Sequence, residues 1–198
     1  MILRLVRARV LPGRSDALRA ALHNALPARI RATEGLLRAH IGLRDSDGEQ
    51  EILFITIWSS AEAVVSAVGG DVSRMAALEG ISEHVEVHTV DLFEVDESSV
   101  RTSAVQPIVL RTSAGWIELG PDVEIQQELR RRMRELGSEL LEAYVGRRMR
   151  GRSVEVTFVT VWASTPEDRP LDEPIWPDIS ARYQAFSVET FRAVAGLD

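Results

Sequence analysis

Residues 51–58, EILFITIW, carry apolar side chains at nearly every position. Both alternating sets, Ile52, Phe54, Thr56 and Trp58 on one side and Leu53, Ile55 and Ile57 on the other, are mainly apolar. A strand patterned in this way is expected to be buried on both faces. Around it the pattern changes period. Residues 2–10 read as another strand; after Pro12-Gly13, with Ser15 or Asp16 as N-cap, Leu18, Leu22, Leu26 and Ile30 fall on one helical stripe. Pro27 predicts a bend or break in that helix. Residues 36–44 and 51–58 are strands joined across DSDGEQ, a hairpin-like turn. Ser59 and Glu62 have the spacing of a capping box and predict a second helix to about Val68, stopped by Gly69-Gly70. Residues 84–95 form the last strand. The order is β-α-β-β-α-β, the ferredoxin-like plan.

The chain then repeats itself. Residues 155–164, EVTFVTVWAS, restate 51–60, EILFITIWSS, 104 positions later. At that offset 36–62 align with 140–166 without a gap, and identical pairs include Gly42 with Gly146, Arg44 with Arg148, Glu51 with Glu155, Phe54 with Phe158, Thr56 with Thr160 and Trp58 with Trp162. RLVRARVLPG (4–13) lies over RTSAGWIELG (111–120), and VDLFEV (90–95) over VETFRAV (188–194), which makes Asp91 and Glu189 equivalent. The expected organisation is a first repeat over 1–96, a polar, Ser-rich linker over 97–106 and a diverged second repeat over 107–198. Pro166, Pro170, Pro174 and Pro177 predict that the second helix of the second copy is broken. A four-stranded sheet covered by helices on one side leaves the other side bare. Two copies in one chain are therefore expected to form a pseudo-dimeric α+β barrel.

Composition narrows the chemistry by what it lacks. Among 198 residues there is no cysteine, which excludes disulfides, thiolate nucleophiles and cysteine-held metal sites. All 23 basic residues are arginine, so Schiff-base catalysis by lysine is excluded too. A net charge of −7 argues against nucleic acid as a partner. The run RRRMR (130–134) falls on a helix with Ile125, Leu129, Met133 and Leu136 inward, which leaves its arginines on the solvated face. No apolar run is long enough to span a membrane, and MILRLVRARV, with its arginines, reads as a strand rather than a leader. The expectation is a cytoplasmic protein without metal or cofactor.

The stretch TIWSSAEAV (56–64), following these strands and preceding VEVHTVDLFEV, resembles the antibiotic biosynthesis monooxygenase superfamily of dimeric α+β barrels. In that superfamily a tryptophan ends the third strand and a Ser-x-Glu-Ala helix start follows. The resemblance covers residues 1–96 and extends to 107–198 through TVWAS. It implies a barrel fold shared with cofactor-free quinone-forming oxygenases, haem-degrading oxygenases and isomerases. Trp58 and Trp162 match the family tryptophan, which in cofactor-free members positions an aromatic substrate. Phe54 and Phe158 stand where those members carry an asparagine four residues earlier. The histidine of haem-degrading members has no counterpart in AVGGD or LDEP.

Candidate chemistry is concentrated in the first half, which holds all four histidines. His40 and His88 lie in strands and could act as general bases or be hydrogen-bonded sheet residues. His23 sits on the first helix, and His84, at a strand start, is expected to be exposed. Thr56 and Thr160 share a face with the tryptophans and offer hydroxyls inward. Arg7 and Arg9, on a strand face with Leu3 and Leu5, could meet an anionic or quinone oxygen or reach solvent. The expected site comprises His40 and His88 for proton transfer, with Trp58, Phe54, Thr56, Arg7, Arg9, Trp162 and Thr160 for substrate. The expected activity is cofactor-independent oxygenation of an aromatic or polyketide-like small molecule. The alternative is a non-catalytic small-molecule-binding or structural barrel, acting as a monomeric pseudo-dimer or a homodimer of it.

Overall fold

A computed structural model describes residues 1–24, 26–72, 80–101, 105–118, 122–133, 135, 139–165 and 173–194. The first repeat comprises β1 (Ile2–Val10), α1 (Ser15–Asn24), α2 (Leu26–Ala32), β2 (Leu36–Ser46), β3 (Glu49–Trp58), α3 (Ala61–Ala67) and β4 (Val85–Val100). The second comprises β5 (Val109–Glu118), α4 (Asp122–Met133), β6 (Leu140–Arg150), β7 (Ser153–Trp162), α5 (Pro177–Ser180) and β8 (Gln184–Ala193). This is an α+β fold of two tandem ferredoxin-like repeats, as the sequence predicts. No helix among the described residues is long and apolar enough to cross a membrane.

The chain divides into two compact units, Met1–Leu92 together with the chain from Arg192, and Phe93–Phe191. In the first, β3 lies between β1 and β2, antiparallel to both. The end of β8 pairs with β2 through Gly42–Ala193 and Leu43–Arg192. In the second unit β7 lies between β5 and β6, and Glu94–Val100 of β4 pair with β6. Residues 97–100, inside the stretch expected as a linker, thus continue a strand.

Local signals explain most of the first repeat. Asp47 and Gly48 both take positive φ, 51° and 82°, between the paired Ser46 and Glu49. This is the two-residue hairpin turn that Asp-Gly favours. Pro27 falls in the first turn of α2, where its missing N–H costs nothing, and the helical stripe is divided there. The cap of α3 is displaced by one residue from the expected Ser59: Ser60 Oγ accepts from Ala63 N–H at 3.2 Å. A backbone N–H and, less, the Ser60 hydroxyl donate to the Glu62 carboxylate and hold it below its ordinary range. Gly69 and Gly70, both left-handed, end that helix, with Gly70 N–H donating to Val65 C=O. In the second repeat only Pro177–Ser180 is helical after β7 among the described residues, and 166–172 lie outside them.

Both faces of β3 are buried, with Ile52, Leu53, Ile55 and Ile57 at most 1% exposed. On the helix side Leu18, Leu22 and Leu26 pack with Val6, Ala8, Ile41, Ile52 and Phe54, and Trp58 packs with Val64 and Val68. In the second unit Ile125, Leu129 and Met133 of α4 pack with Val154, Val156, Phe158 and Trp162. Two of the internal identities are explained by charge. Arg44 pairs with Glu51 at 2.5 Å and Arg148 with Glu155 at 2.6 Å, the same cross-strand ion pair in each copy. The arginine run on α4 is held by carboxylates: Arg130 by Glu97, Arg131 by Glu128 and Glu135, Arg132 by Glu128 and Asp178.

Gly35, between α2 and β2, has φ +77°, and a Cβ there would stand 2.5 Å from the Ala63 Cβ. Gly48 is equally left-handed (φ +82°) but has open space around it. Gly35→Ala should therefore cost about 2–5 kcal/mol of unfolding free energy, from left-handed strain plus overpacking. Gly48→Ala should cost only the strain, about 1–2 kcal/mol. Urea denaturation of the two variants measures the difference; equal losses would contradict the close packing of α3 on this turn.

Candidate functional site

Strand alternation aims one set of side chains from three strands at the same space. Arg4 stands opposite Thr56 and Val6 opposite Phe54 across β1 and β3; Ala39 and Ile41 stand opposite the same two residues from β2. Side chains directly opposed in an antiparallel pair share a face. Over that face lies α2, contributing Leu26, Arg29, Ile30 and Thr33, one helical stripe of i, i+3, i+4 and i+7. Leu36 and Trp58 close the end of the pocket, which encloses about 520 Å³ of empty space, mouth included. An apolar lining with a few polar groups is the usual make-up of a small-molecule site.

The wall is fixed by hydrogen bonds. Trp58 Nε1 donates to Thr56 Oγ1 at 2.9 Å, and the Thr56 hydroxyl donates to the Arg4 carbonyl at 3.3 Å. The indole is 2% exposed and Phe54 3%. Thr56 therefore sets the tryptophan plane and ties β3 to β1.

The charge in the pocket comes from Arg4. It is 3% exposed, and its Nη2 donates to Val72 C=O at 3.3 Å. Burial lowers its pKa from 12.5 to about 10, which leaves it a cation at neutral pH. Arg29 lines the same pocket.

The family model for antibiotic biosynthesis monooxygenases (ABM) matches residues 1–74, which include every residue of this pocket. Residues 1–74 are thus similar to an ABM domain. No protein of curated function matches the sequence. Among solved structures, an anthrone oxidase-like protein is similar at a TM-score of 0.59 and 15% identity, over 98% of this chain and 91% of that one. A candidate monooxygenase of Lactobacillus acidophilus NCFM is similar at 0.62 and 14%, over 98% and 99%. Another, of Fusobacterium nucleatum, is similar at 0.62 and 11%, over 98% and 91%. At these identities the likeness is one of fold.

Of the residues expected at the site, Trp58, Phe54 and Thr56 line this pocket together. His40 borders it, but its register partner is Ile55 rather than Thr56, so its imidazole lies on the opposite face of the sheet. Tyr144, its counterpart in the second repeat, is paired with Val159 and donates to Glu142 at 2.6 Å. His88 is exposed on β4, away from the pocket lining. Arg7 and Arg9 stand opposite Leu53 and Glu51, also on the opposite face. Arg7 pairs with Asp91 at 3.3 Å, and Arg9 pairs with Glu49 and Glu86. His84, expected at the surface, is 7% exposed.

Arg4 is the residue the sequence reading missed. Its signal was present: in the aligned stretches 4–13 and 111–120 the only identities are Arg4 with Arg111 and Gly13 with Gly120. Arg111 is likewise buried, opposite Thr160 as Arg4 is opposite Thr56. Trp162 and Thr160 themselves are buried in the second unit, but Trp162 Nε1 and Thr160 Oγ1 lack the hydrogen bonds of their counterparts. The tryptophan-threonine link belongs to the first copy alone.

Proposed function

We propose that the ABM domain binds a planar aromatic or polyketide-like molecule bearing an acidic oxygen function, and oxygenates it with dioxygen without a cofactor. The observation that carries this reading is the buried Arg4 guanidinium beside the Trp58 and Phe54 rings in one pocket. Similarity of fold to an anthrone oxidase-like protein supports it. In such a substrate a ring CH2 flanked by a conjugated carbonyl loses a proton to solvent at the pocket mouth, giving an enolate or phenolate. Arg4 holds the developing oxyanion, which lowers the acidity barrier. The carbanion form gives electrons to dioxygen and a carbon–oxygen bond forms. Loss of the second hydrogen then breaks the O–O bond: one oxygen atom remains as the new ketone and the other leaves as water. Trp58 and Phe54 hold the ring plane and keep water from the reacting carbon.

A second reading, binding without catalysis, is favoured by one observation. Among the described residues no general base points into the pocket, because His40 faces the other side of the sheet. Incubating the protein with anthrone in air, with an oxygen electrode and quinone absorbance read together, separates the two. The oxygenase reading expects one dioxygen consumed per quinone formed, at a rate well above that of buffer. Saturable binding with no excess oxygen uptake supports the binding reading, and absence of binding defeats both.

A further inference from the structure

The second unit contains a pocket that is not the copy of the first. It is walled by Phe158, Trp176, Tyr183 and Phe186, floored by Ser113 and Val156 of the sheet, and encloses about 350 Å³, mouth included. Phe158 and Ser113 are the counterparts of Phe54 and Val6, but Trp162 and Thr160 do not line it. The space is displaced along β7 from the tryptophan end towards Val156.

Its chemistry also differs. Two tilted aromatic pairs face it: Phe158 with Trp176, ring centroids 5.0 Å apart, and Tyr183 with Phe186, 5.9 Å apart. Among the described residues no lining side chain is charged. Burial raises the Tyr183 phenol above its ordinary range, so it remains a neutral donor. The backbone is shaped around these rings. Gly115 allows Tyr183 to lie against β5, where a Cβ would stand 2.7 Å from the Tyr183 Cβ. Ala185, between Tyr183 and Phe186, is held at φ 49°, a conformation that costs an alanine about 1–2 kcal/mol. Strain of this kind persists where surrounding contacts impose it, and such positions cluster at ligand sites.

We infer that this pocket is a separate binding site for an uncharged planar aromatic ring, stacked among Phe158, Trp176 and Tyr183 and hydrogen-bonded by the Tyr183 hydroxyl. Among the described residues the lining offers no cation to an acidic ligand, which favours an uncharged ring there. The inference is independent of what the first pocket binds.

Fluorine NMR of the full-length chain titrated with 5-fluoroindole tests it. Saturable binding is expected, with contacts from the probe to the Trp176 ring, and it should persist in Ala39→Phe, which fills the first pocket. Ser113→Phe, which fills the second, should weaken it about tenfold or more. Tyr183→Phe, which removes only a hydroxyl, should weaken it about threefold to tenfold and decides the matter if Ser113→Phe does not fold. No saturable binding, loss in Ala39→Phe with retention in Ser113→Phe, or unchanged affinity in Tyr183→Phe without contact to Trp176 would overturn it.

Discussion

Trp58→Ala is expected to lower the unfolding free energy by about 3–5 kcal/mol, the range for emptying a buried aromatic site. The indole is 2% exposed and packs against Val64 of α3 and Val68 at its C-cap, with Ile2, Leu36 and Leu92 around it. Its removal leaves a cavity at the end of the pocket and also frees Thr56 Oγ1 from its donor. Trp58→Phe keeps most of the packing and loses the 2.9 Å hydrogen bond, so it should cost about 1–2 kcal/mol. Urea denaturation followed by circular dichroism measures both. Equal, small losses would mean that the indole is not the anchor of this end of the domain. Trp162→Ala should cost a similar amount for packing, but Trp162→Phe less than Trp58→Phe, because Trp162 Nε1 has no acceptor to lose.

Arg4→Met is the second large effect, and it falls on ligand rather than fold. Methionine retains the length of the buried stem while removing the guanidinium. For an aromatic carboxylate such as 2-naphthoate, loss of a charge-assisted contact predicts about tenfold to hundredfold weaker binding at pH 7. The pH profile separates this from a packing effect. The ligand is ionised throughout, and Arg4, lowered by burial to about 10, loses its charge as pH rises through that value. Affinity of the parent protein should therefore be level between about pH 7 and 9 and fall above about 10, whereas Arg4→Met should show no such fall. Isothermal titration across that range provides the measurement. Equal affinities of the parent and Arg4→Met for 2-naphthoate at pH 7 would remove Arg4 from the site.

The architecture was largely legible in the sequence because it is written in short-range patterns. The double-sided apolar run at 51–58, the Asp47-Gly48 turn, Pro27 and the Gly69-Gly70 stop each depend on neighbours a few residues away. The 104-residue repeat extended the reading to the second half. Face assignment within a strand was also accessible: Arg7 and Arg9 were correctly grouped with Leu3 and Leu5. The choice of which face meets α2 was not, because it depends on the register of β1, β2 and β3 with one another. That register puts Arg4 at the pocket, turns His40 away from it and gives Arg7 and Arg9 to carboxylates on other strands. The burial of His84 and the pocket at Trp176 and Tyr183 depend on loops whose course no periodicity reveals. Ser60 displaced Ser59 as the cap of α3 for a simpler reason: adjacent serines offer the same chemistry, and geometry selects one.

The pocket beneath α2 is tested most directly by a crystal structure of the full-length protein grown with 2-naphthoate. Its ring should lie against Trp58 and Phe54, with a carboxylate oxygen within hydrogen-bonding distance of the Arg4 guanidinium. A ring bound at another surface, or side chains from α2 filling the space so that no ligand enters, would contradict the site assigned to this domain.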